Sequence, residues 1–291
     1  MKSIDPKDVS TGRFHAVMLG AVGPRPIAFA STIDENGQMN LSPFSFFNAF
    51  SSNPPVLVFS PARRVRDNST KHTLENILHT PEVVINVVNF EMVQQMSLAS
   101  TEYPKGVSEF EKAGFTPIAS EKIKPFRVKE SPVQFECKVN DVIRLGENGG
   151  AGNLIICEIV MVHIHEDVMD DQGGIDQKKI DLVARMGGNW YCRAHGDSLF
   201  EVEKPLTSLG IGVDSIPQDI RLSPVLTGNH LGMLGNIEQI PDAKEMAEFN
   251  RSGELELLLQ EVHDSDFALH RVASELLSKH EVKKAWMVLL S

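Results

Sequence analysis

The strongest constraint on the fold lies between residues 133 and 165. Val133, Phe135, Cys137 and Val139 alternate with polar residues, the period of a strand with one buried face. After Gly146-Glu147-Asn148-Gly149-Gly150-Ala151-Gly152 a second strand-like run occupies residues 154–165. Two such strands joined by a turn make a long antiparallel hairpin, and a sheet built on it must fold its apolar face over a core, as a β-barrel does. The glycines read as the turn of this hairpin. They lack the G-x-x-x-x-G-K-[ST] order of a phosphate loop and lead into a strand, where a phosphate loop leads into a helix.

Upstream, residues 26–33 are apolar and β-branched, Asp34-Glu35-Asn36-Gly37 offers a turn whose Asn-Gly step suits positive φ, and residues 38–41 resume. Residues 56–60 and 83–88 are further strands. They bracket a stretch of helical period over 68–79 that Pro81 closes. Short helices are expected at 91–98 and 108–112, the second ended by Gly114. From Pro241 the texture turns to amphipathic helices at 243–249, 254–262, 267–279 and 282–290, with Asp242 and Asp264 as caps.

A formal net charge of −11 over 291 residues, with no basic stripe, argues against nucleic acid as a partner. The first residues, MKSIDPKDVSTGRF, carry no apolar signal region, and no run approaches the ~18 apolar residues of a membrane helix. A cytoplasmic protein with no membrane partner is expected. Cys137, Cys157 and Cys192 form no C-x-x-C pair and are read as buried thiols. His163 and His165 share a strand face as a metal pair would, yet no third ligand stands at metal spacing. They are read as an exposed strand face, and the acidic residues of 166–171 as a solvated loop; no metal is expected.

Two segments invite a ligand. In residues 40–50, Phe44, Phe46, Phe47 and Phe50 are interleaved with Ser42, Ser45 and Asn48. Phenylalanines alone would suit a core, but hydroxyls and amides in a buried strand need partners. A flat heteroaromatic ligand rimmed by polar groups uses both residue types. In Asn68-Ser69-Thr70-Lys71-His72-Thr73, an ammonium and hydroxyls gather at a helix start, where free N–H groups favour an anion. An ordinary capped helix start is the plainer alternative.

Pro24-Arg25-Pro26-Ile27-Ala28, residues 40–48, Lys71-His72-Thr73 with Asn76, and Arg185-Met186-Gly187-Gly188-Asn189-Trp190-Tyr191 occur in this order. Together they resemble the flavin reductase-like, FMN-binding split-barrel family, which includes flavoredoxins, over residues 10–200. The resemblance implies a mainly β fold: a six-stranded antiparallel Greek-key split β-barrel with short helices. It implies FMN as cofactor, in a homodimer with the sites near the interface. Ser42, Pro43, Phe44, Ser45 and Phe46 would line the flavin ring, and Ser60, Lys71 and Thr73 would take the phosphate. Arg25, Arg185, Gly187, Gly188 and Tyr191 would complete the pocket, with Ala99 and Ser100 approaching from the partner chain. The family often has Asp where His72 stands.

The expected division is therefore an FMN-binding split-barrel domain over 1–205 and a helical C-terminal extension over 206–291. The implied function is an FMN-dependent oxidoreductase, passing electrons from NAD(P)H through FMN to a flavin or other acceptor. An electron carrier served by a redox protein, and a non-redox binding module on the same barrel, are the alternatives. The flavin carries such chemistry, so no catalytic acid or base is required of the chain. No G-x-G-x-x-G follows a strand, so a separate dinucleotide site is not expected.

Overall fold

A helix that the hydrophobic pattern does not announce opens the chain. In the computed structural model, which describes residues 1–206, 208–260 and 267–291, helix α1 (Thr11–Ala21) starts at Ser10, whose Oγ accepts the Arg13 N–H at 3.4 Å. None of its residues is buried. The first hairpin follows as expected: β1 (Ala28–Ile33) and β2 (Met39–Phe44) pair from Ile33 opposite Met39 to Ala28 opposite Phe44. In its turn Asp34 Oδ1 accepts the Asn36 and Gln38 N–H groups, and Gly37 sits at φ 79°, open to glycine at little cost.

The chain continues through β3 (Phe47–Ser52), β4 (Pro55–Phe59), α2 (His72–His79), β5 (Glu82–Asn86), α3 (Val93–Leu98) and α4 (Glu109–Ala113). Then come β6 (Pro117–Ile118), β7 (Arg127–Val128), β8 (Val133–Arg144), β9 (Asn153–Ile164), β10 (Val183–Arg185) and β11 (Tyr191–Arg193). The main sheet has seven strands in the order β2-β1-β5-β8-β9-β4-β3, every pair antiparallel. That is one strand more than six, because β3 hairpins back onto β4.

One face gathers Ala28 and Ala30 of β1, Phe59 of β4, Val83 and Ile85 of β5, Cys137 and Cys157, closed by Leu74 and Ile77 of α2. The other, around Phe29 and Leu41, is covered by Met92, Met96 and Phe110 from the α3–α4 region. Strand β1 is thus buried at every residue, and fully burying a side chain such as Phe29 stabilises by about 1.5–3 kcal/mol.

The long hairpin departs from simple alternation. Gln134 and Glu136, polar positions expected to face water, are buried. Residues 119–131 lie over them. Gln134 Nε2 donates to the Val128 and Ser131 carbonyls, and the Glu136 carboxylate accepts the Glu121 and Lys122 N–H groups at 2.8 and 2.7 Å. His163 is drawn into this network, 2.7 Å from Glu136, so it does not form an exposed face with His165. Irregularities at Glu136/Cys137 and Val139/Asp141 bend β8. Cys137 and Cys157 are buried, whereas Cys192 is only half-buried.

Residues Met1–Phe200 form one unit and Glu201–Ser291 a second. The second is helical: α5 (Gln218–Arg221), α6 (Gly228–Gly235), α7 (Ala243–Arg251), α8 (Glu254–Gln260), α9 (Ala268–Ser278) and α10 (Val282–Leu289). Asp242 caps α7, accepting the Lys244 and Glu245 N–H groups while Glu245 reaches back to Asp242 N–H, a reciprocal box. Val262 and Asp264, expected as a helix end and a cap, lie outside the described residues. Trp286 is fully buried among Leu234, Leu276 and Leu277, its indole N–H donating to the Leu234 carbonyl at 3.0 Å. No helix among the described residues is long and apolar enough to cross a membrane.

Candidate functional site: a polar cleft at the start of a helix

Helix α2 begins at His72, later than the periodicity from residue 68 suggests. The reason is tertiary. Asn68 takes φ 57°, and Arg64 donates from Nη1 to Ser69 Oγ at 2.9 Å and to the Thr70 carbonyl, which holds residues 64–70 as a loop. Asn68 is fixed in turn by Arg63 Nε at 2.6 Å and by the Glu147 carbonyl, to which its Nδ2 donates at 3.0 Å. The glycine-rich turn leans on this loop, with Arg63 N–H bonded to the Ala151 carbonyl. A Cβ on Gly152 would stand 2.7 Å from Ser60 Oγ, so a larger residue there would have to turn the Ser60 hydroxyl aside.

Lys71 is the N-cap of α2 and offers no side-chain acceptor. The His72 and Thr73 amides, in the first turn, have no intrahelical acceptor. Around them opens a shallow cleft bordered by Asn40 and Ser42 of β2, Arg64, Lys71, His72, Thr73, the run Ser100-Thr101-Glu102-Tyr103, and Glu109 of α4. Thr73 is fixed from below: Asn40 Nδ2 donates to its Oγ1 at 3.0 Å, and Asn40 and Asn76 both donate to Thr32 Oγ1.

Two carboxylates shape the field. Glu102 receives Arg64 Nε at 2.7 Å, Arg66 Nη2 at 3.0 Å and Lys71 Nζ at 3.5 Å. Hydrogen bonds from Arg64 and then Arg66 hold its carboxyl down to about 2. Glu109 is buried and accepts the Leu41 N–H at 3.0 Å. Burial pushes its carboxyl up, opposed by the bond from Leu41 and by nearby His72.

Of the expected site residues, Ser42, Lys71, Thr73 and Ser100 meet at this cleft. Ser100 borders the cleft on the same chain as Lys71. The others stand elsewhere. Phe44 is buried, its ring 5.5 Å from that of Phe59, and belongs to the core, while Ala99 lies in the second core. Ser60 is buried and donates its N–H to the Phe46 carbonyl. Pro43 and Ser45 are half-buried beside Phe46, which is 37% exposed and meets His15 edge-on at 6.0 Å.

Arg25 is a clamp. Its guanidinium is buried and donates to the Leu19, Val22 and Met186 carbonyls, tying the end of α1 to the β10–β11 hairpin, while its Nε has no partner. Burial, and then the charge of Arg185, lowers its pKa. Arg185 stacks over the Tyr191 ring at 4.6 Å and donates to the Gly188 carbonyl. Gly188 takes φ 56°, and Gly187 lies against α1, where a Cβ would come within 3.1 Å of Gly20 Cα. Trp190, in the same turn, is 78% exposed.

Arg64, Glu102, Tyr103 and Glu109 border the cleft without having been expected there. Glu109 stands in a short helix with Glu111 and Lys112, so nothing in the sequence marks it as the buried one. The meeting of residues 64, 71 and 102 depends on how two loops fold together. The donor set fits a phosphate: an ammonium, a guanidinium, the hydroxyls of Ser42, Thr73, Thr101 and Tyr103 and the amides of a helix start, set against the carboxyls of Glu102 and Glu109.

Known proteins resemble the chain over its β unit. Residues 21–179 match the flavin reductase like domain. Nitrilotriacetate monooxygenase component B from Bacillus cereus is 30% identical, with a TM-score of 0.65 over 69% of this chain and 98% of its own. The 2-nitrobenzoate 2-nitroreductase NbaA of Pseudomonas fluorescens is 27% identical, with a TM-score of 0.62 over 72% of this chain and 100% of its own. A protein with a split barrel domain from Shewanella frigidimarina is 28% identical, with a TM-score of 0.59 over 70% of this chain and 100% of its own. With a mainly β antiparallel fold and a match spanning more than half its length, the chain belongs to the flavin reductase-like family, a family of flavoprotein oxidoreductases.

Proposed function

We propose that this protein is an FMN-dependent oxidoreductase, passing electrons from NAD(P)H to a flavin or other acceptor, with residues 1–205 as the FMN-binding unit and 206–291 as its extension. The observation that carries the reading is the gathering of Lys71, Thr73, Ser42 and the first turn of α2 around one cleft in a flavin reductase-like chain. Lys71 supplies the charge for a phosphate, and the hydroxyls of Thr73 and Ser42 supply directed bonds. Phe46 and Trp190 expose apolar ring surface of the kind a flavin ring stacks on. The chemistry FMN supplies when bound is two-electron exchange, which no side chain of the cleft provides.

The chain works, on this reading, as a cytoplasmic homodimer. Helix α1 buries none of its own residues, and Val17, Met18 and Val22 are exposed, as are Phe50 and Leu98. A second copy is the simplest cover for such a surface. Light scattering should find twice the chain mass of 32.2 kDa.

The function is tested by reconstituting the purified protein with FMN and mixing it anaerobically with NADH or NADPH. Bleaching of the visible flavin band within seconds is expected, given turnover of ~1–1,000 per second. Bleaching by dithionite but not by either nucleotide favours the electron carrier. Failure to take up FMN ends the flavin reading.

A further inference from the structure

Lys71, the ammonium assigned above to the flavin phosphate, already has an anionic partner. Its Nζ lies 3.5 Å from Glu102 Oε1, the same oxygen that receives Arg64 Nε at 2.7 Å. The three cations around Glu102 are not equivalent. Arg64 is also anchored by Ser69 Oγ and the Thr70 carbonyl, and Arg66 by Asp67. Lys71 has Glu102 as its one hydrogen-bonding side-chain partner among the described residues. The carboxyl of Glu102 is 39% exposed and stands on the run of residues 100–103 outside any helix or strand, so it can turn into water without disturbing a core.

We propose that Glu102 is an exchangeable internal counter-anion for the phosphate pole, which yields Lys71 when a phosphate arrives and so keeps the affinity for phosphorylated flavin low enough for release. The inference rests on the assignment of this cleft to FMN. Glu102 sits where a phosphate oxygen would pair with Lys71, and a dianion entering beside it meets a like charge at close range. Repulsion of this kind acts on the phosphate and not on the uncharged ring. The cost therefore falls on FMN and on inorganic phosphate, and spares riboflavin. Arg64, held by the loop carbonyl and hydroxyl, stays in place through the exchange.

A rival role for Glu102 is a scaffold that preorganises Lys71 for the ligand, and it has the opposite sign. Glu102→Gln keeps the shape of the side chain and removes its charge. Titrations of flavin-stripped protein with FMN, riboflavin and inorganic phosphate, at low and high salt, separate the two roles. Glu102→Gln is expected to bind FMN and inorganic phosphate about tenfold more tightly, with riboflavin unchanged. Glu102→Asp, which keeps the charge, is expected to remain near the wild type. The gain should shrink at high salt, where exposed charges are screened. If wild-type protein prefers FMN to riboflavin but Glu102→Gln binds FMN equally or less well, the counter-anion role is wrong and the phosphate cleft stands. If neither wild-type protein nor Glu102→Gln distinguishes FMN from riboflavin, the phosphate cleft itself is wrong and the role of Glu102 falls with it.

Discussion

The buried carboxylate of Glu109 accepts the backbone N–H of Leu41 at 3.0 Å, joining α4 to the outer side of β2. Strand β2 ends the sheet, so this N–H has no neighbouring strand to receive it. Glu109→Ala should leave a buried donor unpaired, a loss of about 1–3 kcal/mol measurable by denaturant unfolding. The carboxyl titrates above its ordinary range because burial disfavours its charge. A raised folded pKa means that the folded state binds the proton more strongly than the unfolded chain. This contribution to stability is therefore complete below the ordinary carboxylate value and is lost as pH rises through the raised one. Glu109→Gln should accept the same N–H and remove that part of the pH dependence; an unchanged slope would show that the carboxyl does not titrate as described.

Lys71→Ala should weaken FMN binding roughly 10- to 150-fold, from a charge-assisted bond of ~1.5–3 kcal/mol, and affect riboflavin much less. Titration of the two ligands side by side checks it. Equal losses would place the phosphate elsewhere.

Arg25→Ala should destabilise the β unit by about 1.5–3 kcal/mol or more, because three backbone carbonyls lose one guanidinium. Hydrogen exchange should quicken at the 185–191 hairpin before it quickens at the main sheet. Arg25→Lys cannot reproduce the planar fork and is expected to recover only part of the loss. A variant weakened in FMN binding alone, with unaltered exchange, would make Arg25 a ligand contact and not a clamp.

Gly152→Ala places a Cβ 2.7 Å from Ser60 Oγ, so either the Ser60 hydroxyl turns aside or the glycine-rich turn shifts against the loop that carries Arg63 and Arg64. The cost of such overpacking is about 1–3 kcal/mol, visible in thermal unfolding. Because that loop sets the start of α2, FMN affinity should fall with stability, and Ser60→Ala in the same chain should restore part of both.

Local patterning carried the parts of this fold that are decided locally. The 34–37 turn, the Gly114 helix end, the Asp242 cap and the long hairpin each follow from residues a few positions apart. What sequence could not show was decided by partners far away in the chain. The start of α2 moved because Arg64 holds the loop before it. Phe44 and Phe46, two residues apart in one motif, went to the core and the surface because β2 ends between them. Arg25 stands in a motif as a pocket residue, but its bond to the Met186 carbonyl, 161 residues away, had no signal in the sequence. The phosphate-like pole was half legible: Lys71 and Thr73 stand in a motif, but Glu102 joins Lys71 and Arg64 only when residues 31 and 38 apart are brought together.

The two edges of the main sheet differ in what they present to other chains. At β2 the Glu109 carboxylate consumes an outward-facing donor, so a stray strand finds no clean ladder to extend. At β3 nearly every residue is exposed, but the pairing slips between Ala49 and Ser51, which breaks the regular repeat that templated growth requires. The sheet is thus guarded against aggregation by a side-chain plug at one border and by an irregular register at the other. Removing Glu109 would unblock the first border as well as loosen it, and poor solubility under partial unfolding would follow from the same missing oxygen.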